Sequence, residues 1–240
     1  MSVEVVIKEP KVNIRTSRFS GAEWADQLET IALVGCGGIG SWTALNLSRI
    51  GHELLIYDGD LVDETNVNGG QMFRLDDKGL YKSTAILNIC REFGCEAEMN
   101  TMDMFEKDDE LFPITITGLD NMAARKLVYE QWKEQYGSDL DSLFIDGRLL
   151  VELAEVLTIQ GGNSSQMAEY ESSYIFPDSE VPEADCTNKQ STFAAMGIAS
   201  MITATLCNFL TNRKLGKNIR EVPFYQRMIY PIFDYSVKSI

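Results

Sequence analysis

The sequence predicts an α/β, doubly wound fold whose sheet is mostly parallel and gains antiparallel strands at its C-terminal side. Short apolar runs alternate with segments of helical periodicity through the first half of the 240 residues. A glycine-rich turn joins the first apolar run to the first helical segment. The second half loses this alternation and ends in aromatic and β-branched residues. Strands that alternate with helices form a parallel sheet with helices on both faces.

The first half is expected to form five strands and three helices. The strands are runs of apolar or β-branched residues, whereas the first helix spaces Trp42, Leu45 and Arg49 three and four positions apart. The predicted strands are Ile31–Val34, Leu54–Tyr57, Glu96–Met102, Pro113–Thr117 and Leu143–Asp146, and the predicted helices are Ser41–Ile50, Tyr81–Phe93 and Met122–Gln135.

The second half predicts a different organisation. Glu152–Ile159 alternates weakly and is expected to add an antiparallel strand. Residues 160–190 are rich in Ser, Glu, Asp and Pro, which favours a long crossover or lid. Phe193–Leu210 carries no charge but includes several polar residues, which indicates a helix buried in the protein or at a subunit interface rather than a membrane span. Val222–Tyr235 is expected to supply one or two final strands.

Composition excludes several classes of function. The 21 basic and 36 acidic residues give a net charge of −15, which argues against nucleic-acid binding. The single histidine, His52, and the absence of a C-x-x-C pair argue against a zinc site. No secretory signal is evident at the N-terminus, so a cytoplasmic protein is expected. We expect an N-terminal arm over 1–30 and one nucleotide-binding domain over 31–240.

A glycine-rich turn points to nucleotide binding. Gly35-x-Gly37-Gly38-x-Gly40 follows a predicted strand and opens a helix, the context of a Rossmann-like fingerprint. Its glycines allow a tight turn and close approach of the backbone to phosphate. Asp58 ends the next strand, where it can accept hydrogen bonds from ribose hydroxyls. These features indicate an adenine nucleotide and leave ATP and NAD both open.

Two charged residues favour ATP over NAD. Lys82 opens a helix beyond the second strand, and Asp120 lies at the tip of a later strand. Such tips meet at one crevice in an open α/β sheet, where a lysine and a carboxylate can neutralise phosphates and hold Mg²⁺. Taken singly, Lys82 is equally well a solvated lysine and Asp120 a helix N-cap.

Five motifs together resemble the ThiF/MoeB/HesA family, which includes the adenylating half of ubiquitin-activating enzymes. The resemblance covers Arg15 to Leu210, and the sequence is similar to short phage and bacterial members of the family. The motifs, in family order, are Gly35-Cys-Gly-Gly-Ile-Gly40, Asp58-Gly-Asp60, Asn66-Val-Asn68, Lys82 and Leu119-Asp120-Asn121. Family members use Mg-ATP to adenylate the C-terminal carboxylate of a small ubiquitin-like or sulfur-carrier protein ending in Gly-Gly.

The resemblance implies roles for individual residues. Asp58 would hold the ribose, Asn66 and Lys82 would contact the phosphates, and Asp120 would bind Mg²⁺ as a catalytic ligand. Arg15-Thr-Ser-Arg18 looks like the family's arginine arm, with Arg18 reaching the ATP site of the partner in a homodimer. The full set implied to bind nucleotide is Gly35, Gly37, Gly38, Gly40, Asp58, Asp60, Asn66, Gln71, Lys82 and Asn121.

One position departs from the family pattern. Gly69 stands where the family has an arginine, in Asn66-Val-Asn68-Gly69-Gly70-Gln71. An arginine there would stabilise charge developing on the phosphates. Its absence leaves three alternatives: slow chemistry, replacement by Arg74 or by the Arg18 arm, or a member that binds nucleotide without adenylating.

Cys186 is the candidate acyl acceptor. Its Cys-Thr context is similar to that of the thioester cysteine in ubiquitin-like activating enzymes, and a thiol captures an acyl adenylate well. The acidic residues before it would raise rather than lower its pKa, so an ordinary loop cysteine is the alternative. For the whole protein, the alternatives are an NAD-binding Rossmann oxidoreductase and a non-catalytic nucleotide-binding interaction protein.

Overall fold

The computed structural model describes residues 19–95, 98–177 and 191–240. Eight strands form one sheet in the order β3-β2-β1-β4-β5-β6-β7-β8. Strands β1 to β5 are parallel, whereas β5 to β8 pair antiparallel. The predicted α/β class, with its antiparallel additions at the C-terminal side, is therefore confirmed.

The elements follow the predicted order with small shifts at their ends. The strands are β1 Thr30–Val34, β2 Glu53–Tyr57, β3 Met99–Met102, β4 Ile114–Thr117, β5 Leu143–Leu150, β6 Leu153–Gln160, β7 Tyr225–Ile229 and β8 Asp234–Lys238. The α-helices are α1 Gly38–Ile50, α2 Glu64–Asn68, α3 Lys82–Glu92, α4 Met122–Tyr136, α5 Ser164–Ser173 and α6 Thr192–Leu215.

Helices cover both faces of the parallel half. Ile31 and Leu33 of β1 point to one face, where they pack in the cluster that includes α1, α3 and α6. Ala32 and Val34 point to the opposite face, against α4 and α5. All four residues are at most 1% exposed. Burial on both faces explains why this strand is a continuous apolar run rather than an alternating one.

Part of the segment 160–190 forms a helix that was not predicted. The structure forms α5 over Ser164–Ser173, within the range where a long crossover or lid was expected. Asn163 caps the helix by accepting a hydrogen bond from Gln166 N at 3.1 Å. Tyr170 is fully buried against Tyr129 and Phe144. A helix with few apolar residues is stable here because one large aromatic side chain anchors it to the core.

Helix α6 is a core helix of this domain over much of its length. Within the described ranges it is the one helix long and apolar enough to cross a membrane, and 56% of its most apolar window is buried inside the protein. It packs against α1 and against strands β5 and β6. Its first turn is tied to the β5–β6 turn, because Ser191 N and Oγ both donate to Val151 O, at 3.1 and 2.8 Å.

Candidate nucleotide-binding site

The glycine loop lies at the point where the strand order reverses. β1 pairs with β2 on one side and β4 on the other, and Val34 is in register with both Tyr57 and Thr117. The residues that follow these three positions therefore emerge together at the carboxyl edge of the sheet. Ligands of open α/β sheets bind at this switch point.

The loop requires glycine at two positions. Gly35 has a φ of +89°, and a Cβ there would lie 3.0 Å from the Gly118 carbonyl at the tip of β4. A Cβ at Gly40 would lie 1.9 Å from Gly35 O. Gly37 precedes α1, and no side chain caps the helix there. The first N–H groups of α1 are therefore available to an anionic ligand.

Asp58 links the loop to the tip of β2. Its Oδ2 accepts a hydrogen bond from Cys36 N at 2.6 Å, and its Oδ1 accepts one from Asp60 N at 2.9 Å. Burial raises the pKa of this carboxyl above its usual value, although both hydrogen bonds and Lys82 oppose the shift. Each carboxylate oxygen keeps a second lone pair for a ligand hydroxyl. Asp58 thus orders the glycine loop and can still accept from ribose.

Lys82 continues this hydrogen-bonded chain. Its Nζ lies 2.8 Å from Asp60 Oδ2, and its backbone N donates to Asp60 O at 2.8 Å. The Lys82 side chain is only 10% exposed, whereas that of Asp60 is 65% exposed. The structure therefore corrects the view of Lys82 as a solvated surface lysine. It is a buried ammonium held at the tip of β2.

The tip of β4 presents a free carboxylate. Asn121, not Asp120, is the N-cap of α4, because its Oδ1 accepts from Ala124 N at 2.8 Å. Asp120 is exposed and makes no hydrogen bond to any other described residue. The N-cap alternative for Asp120 is thus wrong. The helix cap already uses the side-chain oxygen of Asn121, a residue that was expected to contact the nucleotide.

The carboxylate at this edge suits a metal ion that phosphate oxygens also bind. Within the described ranges no three His, Cys, Asp or Glu side chains cluster in a way that could hold a metal ion. Mg²⁺ is usually bound by one or two carboxylates together with substrate phosphates and water. An exposed Asp120 at the nucleotide edge fits that arrangement, but not a site built from protein ligands alone.

Asn66 and Gln71 differ in what they offer. Asn66 is the third residue of α2, and its Oδ1 accepts from Asp63 N at 3.0 Å in a capping box. Gln71 lies beside the glycine loop, with its amide atoms 3.9 and 4.0 Å from the place of a Cβ at Gly37. Its Oε1 is buried and has no hydrogen-bond partner among the described residues. A buried unpaired acceptor is costly, so a ligand donor at this point would be favourable.

In the segment that lacks the family arginine, the backbone conformation requires glycine at Gly70 but not at Gly69. Gly70 has a φ of +89°, and a Cβ there would lie 2.2 Å from Thr192 Oγ1. Gly69 has a φ of −81°, which any residue adopts. Arg74, proposed above as a replacement, is bound to Asp77 and Glu92, and these carboxylates raise the pKa of its guanidinium. Arg74 is therefore occupied by ion pairs.

Two predicted residues, Arg18 and Cys186, lie outside the described residues, as does the rest of the Arg15–Arg18 arm. The other four cysteines, Cys36, Cys90, Cys95 and Cys207, are buried. Burial raises the pKa of Cys36 well above its usual value and that of both Cys90 and Cys207 to about 11. None of these four is suited to act as a nucleophile.

His52 has a structural role. Its Nδ1 accepts a hydrogen bond from Glu29 N at 3.1 Å, and the side chain is fully buried. Burial lowers the pKa of His52 to about 4, so the imidazole is neutral at neutral pH. It joins the start of β1 to the start of β2, at the opposite end of both strands from the glycine loop.

The structure adds a cavity that the sequence analysis missed. The cavity, of about 300 Å³, is lined by Met102, Asp103, Met104, Glu106 and Asp109. It adjoins the candidate ribose residue, because Asp58 N donates to Met102 O at 3.4 Å and Gly59 packs closely on Met104. Gly59, between Asp58 and Asp60, was the available signal in the sequence. Its contact partner Met104 lies 45 residues later, so only the fold shows that the two residues meet.

A buried charged cluster was also missed. Asp146 on β5 is fully buried and accepts hydrogen bonds from Thr117, Arg125, Arg148 and Tyr170. Arg125 lies four residues after Asn121 and Arg148 two after Asp146, so neither stood out as a motif. Strand pairing brings Thr117 and Asp146 into register.

Comparison with known proteins agrees with this geometry. The sequence model of the ThiF family matches residues 13–230. Ubiquitin-like modifier-activating enzyme 5 of Branchiostoma floridae is 30% identical over 159 residues, which are 56% of this chain and 38% of the relative. The chain thus spans well under half of that relative's length.

Two solved structures share the fold. E. coli MccB, determined with ATP, superposes with a TM-score of 0.69 at 17% identity, over 95% of this chain and 72% of MccB. PaaA superposes with a TM-score of 0.68 at 19% identity, over 91% of this chain and 66% of PaaA. The glycine loop at the sheet's switch point, the Asp58–Asp60–Lys82 chain and a family match across most of the sequence lead to one conclusion: this protein belongs to the ThiF family.

Proposed function

We propose that this protein uses Mg-ATP to adenylate the C-terminal carboxylate of a peptide or small protein, most specifically a ubiquitin-like or sulfur-carrier protein ending in Gly-Gly. The observation that carries the proposal is the hydrogen-bonded chain from the glycine loop through Asp58 and Asp60 to Lys82. This chain supports the proposal because it joins a glycine loop suited to phosphate, a carboxylate suited to ribose and a buried ammonium at one edge of the sheet.

The nucleotide would lie along this edge. The N–H groups after Gly37 would face the phosphates, and Asp58 would accept from the ribose hydroxyls. The cavity lined by Met102 and Met104 adjoins Asp58 and is large enough for a purine base. Its methionines offer polarizable surface to a flat ring, and its carboxylates can accept from an exocyclic amino group. This arrangement favours adenine.

Lys82 and Asp120 would act on the phosphates. Lys82 would exchange its ion pair with Asp60 for a contact with a phosphate oxygen, and Gln71 would direct its amide into the loop. When bound, Mg²⁺ supplies electrostatic stabilisation of the phosphates, and Asp120 is the side chain placed to hold it. In support, the MccB structure with the same fold contains ATP.

The proposed reaction needs no general base. The substrate carboxylate is already ionised at neutral pH, and its oxygen attacks the α-phosphorus of ATP. The bond from that phosphorus to the bridging oxygen breaks, and pyrophosphate leaves with the electron pair. The product is an acyl adenylate.

A second candidate is a member that binds nucleotide without adenylating, and the glycine at position 69 favours it. Gly69→Arg separates the two candidates, because the backbone φ of −81° at this position is one that arginine adopts. A rise in pyrophosphate exchange would show that the missing guanidinium limits the rate. Nucleotide binding without exchange, in both forms and with every carrier tested, would favour the non-catalytic candidate.

A homodimer would use the exposed side of α6. Several small residues of α6 are covered within the subunit: Ala195 and Ala199 are buried, and Tyr230 lies over Gly197, where a Cβ would be 1.7 Å from its hydroxyl. Those three residues cannot receive a helix of a second copy. Four residues remain exposed on one face, namely Phe193, Met196, Ser200 and Ala204.

Mixing two inactive variants tests the proposed arm in trans. Arg18→Ala would remove the arm residue and Asp120→Ala the metal ligand. A heterodimer of the two would still hold one site with an intact Asp120 and an arginine from its partner. Recovery of activity on mixing is therefore expected. No recovery, with mixed dimers shown by sedimentation, would contradict an arm that acts across the interface.

Cys186 is proposed as the acceptor in a second step. Its thiolate would attack the acyl carbon, form a thioester and release AMP. Incubation with ATP and carrier should then give an adduct that reducing agent removes, and Cys186→Ser should retain pyrophosphate exchange. If Cys186→Ser forms the same final product at the same rate, the protein adenylates only.

The central experiment is ATP–pyrophosphate exchange screened against small proteins ending in Gly-Gly. Each carrier is paired with a control from which the final glycine is deleted. Exchange that requires both Mg²⁺ and the intact C-terminus would support the proposal. Tight, magnesium-independent binding of NAD with no binding of ATP would refute it.

A further inference from the structure

The buried cluster on β5 contains more positive than negative charge. Arg125 and Arg148 share the single carboxylate of Asp146, which is fully buried. The two arginine side chains are 7% and 13% exposed. Burial lowers the pKa of Arg125 to about 10, so it stays protonated at neutral pH. Burying a second cation beside one carboxylate is costly, and apolar residues would pack this space at lower cost.

The two arginines differ in what else they bind. Arg125 donates to Leu119 O and, at 3.1 Å, to Gly147 O. Arg148 donates to Tyr174 O at 2.8 Å and lies against the rings of Tyr170 and Tyr174. Arg125 therefore holds the turn after β4, whereas Arg148 holds the end of α5.

The turn held by Arg125 is the one that carries Asp120. Gly118 N donates to Val34 O at 2.9 Å and ends the pairing of β4 with β1. Asn121 then caps α4. Between these two, the backbone carbonyl of Leu119 is fixed by the guanidinium of Arg125, one residue before Asp120.

We propose that Arg125 is a positioning residue, which fixes the turn from Gly118 to Asn121 so that Asp120 is oriented for its ligand. The inference rests on the proposed function, in which Asp120 holds Mg²⁺. In this proposal Arg125 acts on the turn through its hydrogen bond to Leu119 O rather than through a contact with substrate. A buried donor that fixes a ligand-bearing element acts on affinity for the ligand more than on the fold.

Arg125→Lys tests the proposal, with Arg148→Lys as its matched control. Both variants keep two positive charges beside Asp146, but only Arg125→Lys removes the guanidinium fork that reaches Leu119 O. Amide hydrogen exchange reports on the turn without requiring activity. Exchange at Gly118 should be about tenfold faster in Arg125→Lys and close to wild type in Arg148→Lys. Equal exchange at Gly118 in both variants would overturn the proposal.

Magnesium dependence gives the second readout. The Mg²⁺ concentration for half-maximal pyrophosphate exchange should rise roughly 10- to 100-fold in Arg125→Lys, while the rate at saturating Mg²⁺ recovers. Arg148→Lys should leave the half-maximal concentration unchanged. A lower rate with no change in Mg²⁺ dependence would refute a positioning role.

Arg125→Gln covers the case in which the lysine variant fails to fold. Asp146 would keep Arg148, Thr117 and Tyr170 as partners, so no unpaired carboxylate is left. The same two readouts apply. If the wild-type protein shows no exchange with any carrier, the proposed function fails. The amide-exchange contrast between the two arginines would still decide whether Arg125 fixes this turn.

Discussion

The parallel and antiparallel halves of the sheet differ in how they are covered. In the parallel half, four of the five residues of β1 are buried, because helices pack on both faces. At the other edge, every residue of β8 is exposed, and Phe233, just before it, is 82% exposed. The parallel half ends in a crevice at the carboxyl edge of the sheet, whereas the antiparallel half, called the open half below, exposes apolar surface. The candidate nucleotide-binding site lies in the first region.

The largest expected effect is the loss of nucleotide chemistry without loss of the fold. Asp120→Ala should lower Mg²⁺-dependent pyrophosphate exchange by roughly 100-fold or more, because an exposed carboxylate at a strand tip supports no core. Its control from the open half is Asp234→Ala, on β8. Equal rates in the two variants would show that Asp120 is not the metal ligand.

Truncating a side chain should lower the stability of the protein more in the parallel half of the sheet than in the antiparallel half. Leu33→Ala, in fully buried β1, should lower the free energy of unfolding by about 2–5 kcal/mol. Val237→Ala, on β8, removes a side chain that is 54% exposed and should change it by less than about 0.5 kcal/mol. Urea denaturation measures both. A large loss at Val237 in the free subunit would mean that the open half is a folded core in its own right.

Two ion-paired lysines provide the third comparison. Lys82→Ala should weaken the binding of ATP about tenfold and that of AMP less, since the proposed target of Lys82 is the outer phosphates. Lys238→Ala removes a lysine that is also paired, with Glu169 at 2.9 Å, but lies on β8. Calorimetric titration with both nucleotides should find no change in the Lys238 variant. Equal weakening of ATP and AMP by Lys82→Ala would place this ammonium away from the outer phosphates.

The smallest expected effect is a pH dependence at Asp58. Burial raises the pKa of its carboxyl, so protonation on acidification begins above the ordinary aspartate range. ATP affinity should therefore fall on acidification, starting at a higher pH than an ordinary aspartate would give. Stability moves the opposite way, because a group with a raised pKa in the folded state stabilises it at low pH and loses that contribution as the pH rises. Asp58→Asn should remove the pH dependence of binding.

Local patterns predicted much of the site. The glycine spacing anticipated the loop, and the ends of the apolar runs anticipated the places of Asp58, Lys82 and Asp120. Asn66 has a role that the pattern did not predict, since its side-chain oxygen serves a helix cap. Arg74 was one alternative for the missing arginine, and the structure shows that Asp77 and Glu92 bind it. A sequence motif specifies which residues share a segment, but not which partners from other segments reach them.

What the sequence by itself determined is the alternation of strands and helices, because the hydrophobic period and the glycines act over neighbouring residues. Only the tertiary structure decided which residues from distant segments contact each other. Parallel pairing brought Thr117 and Asp146 into register, and packing placed Tyr230 over Gly197 and Met104 against Gly59. These contacts join residues far apart in the chain, and they form because buried polar groups and close-packed surfaces need partners that only the assembled sheet supplies.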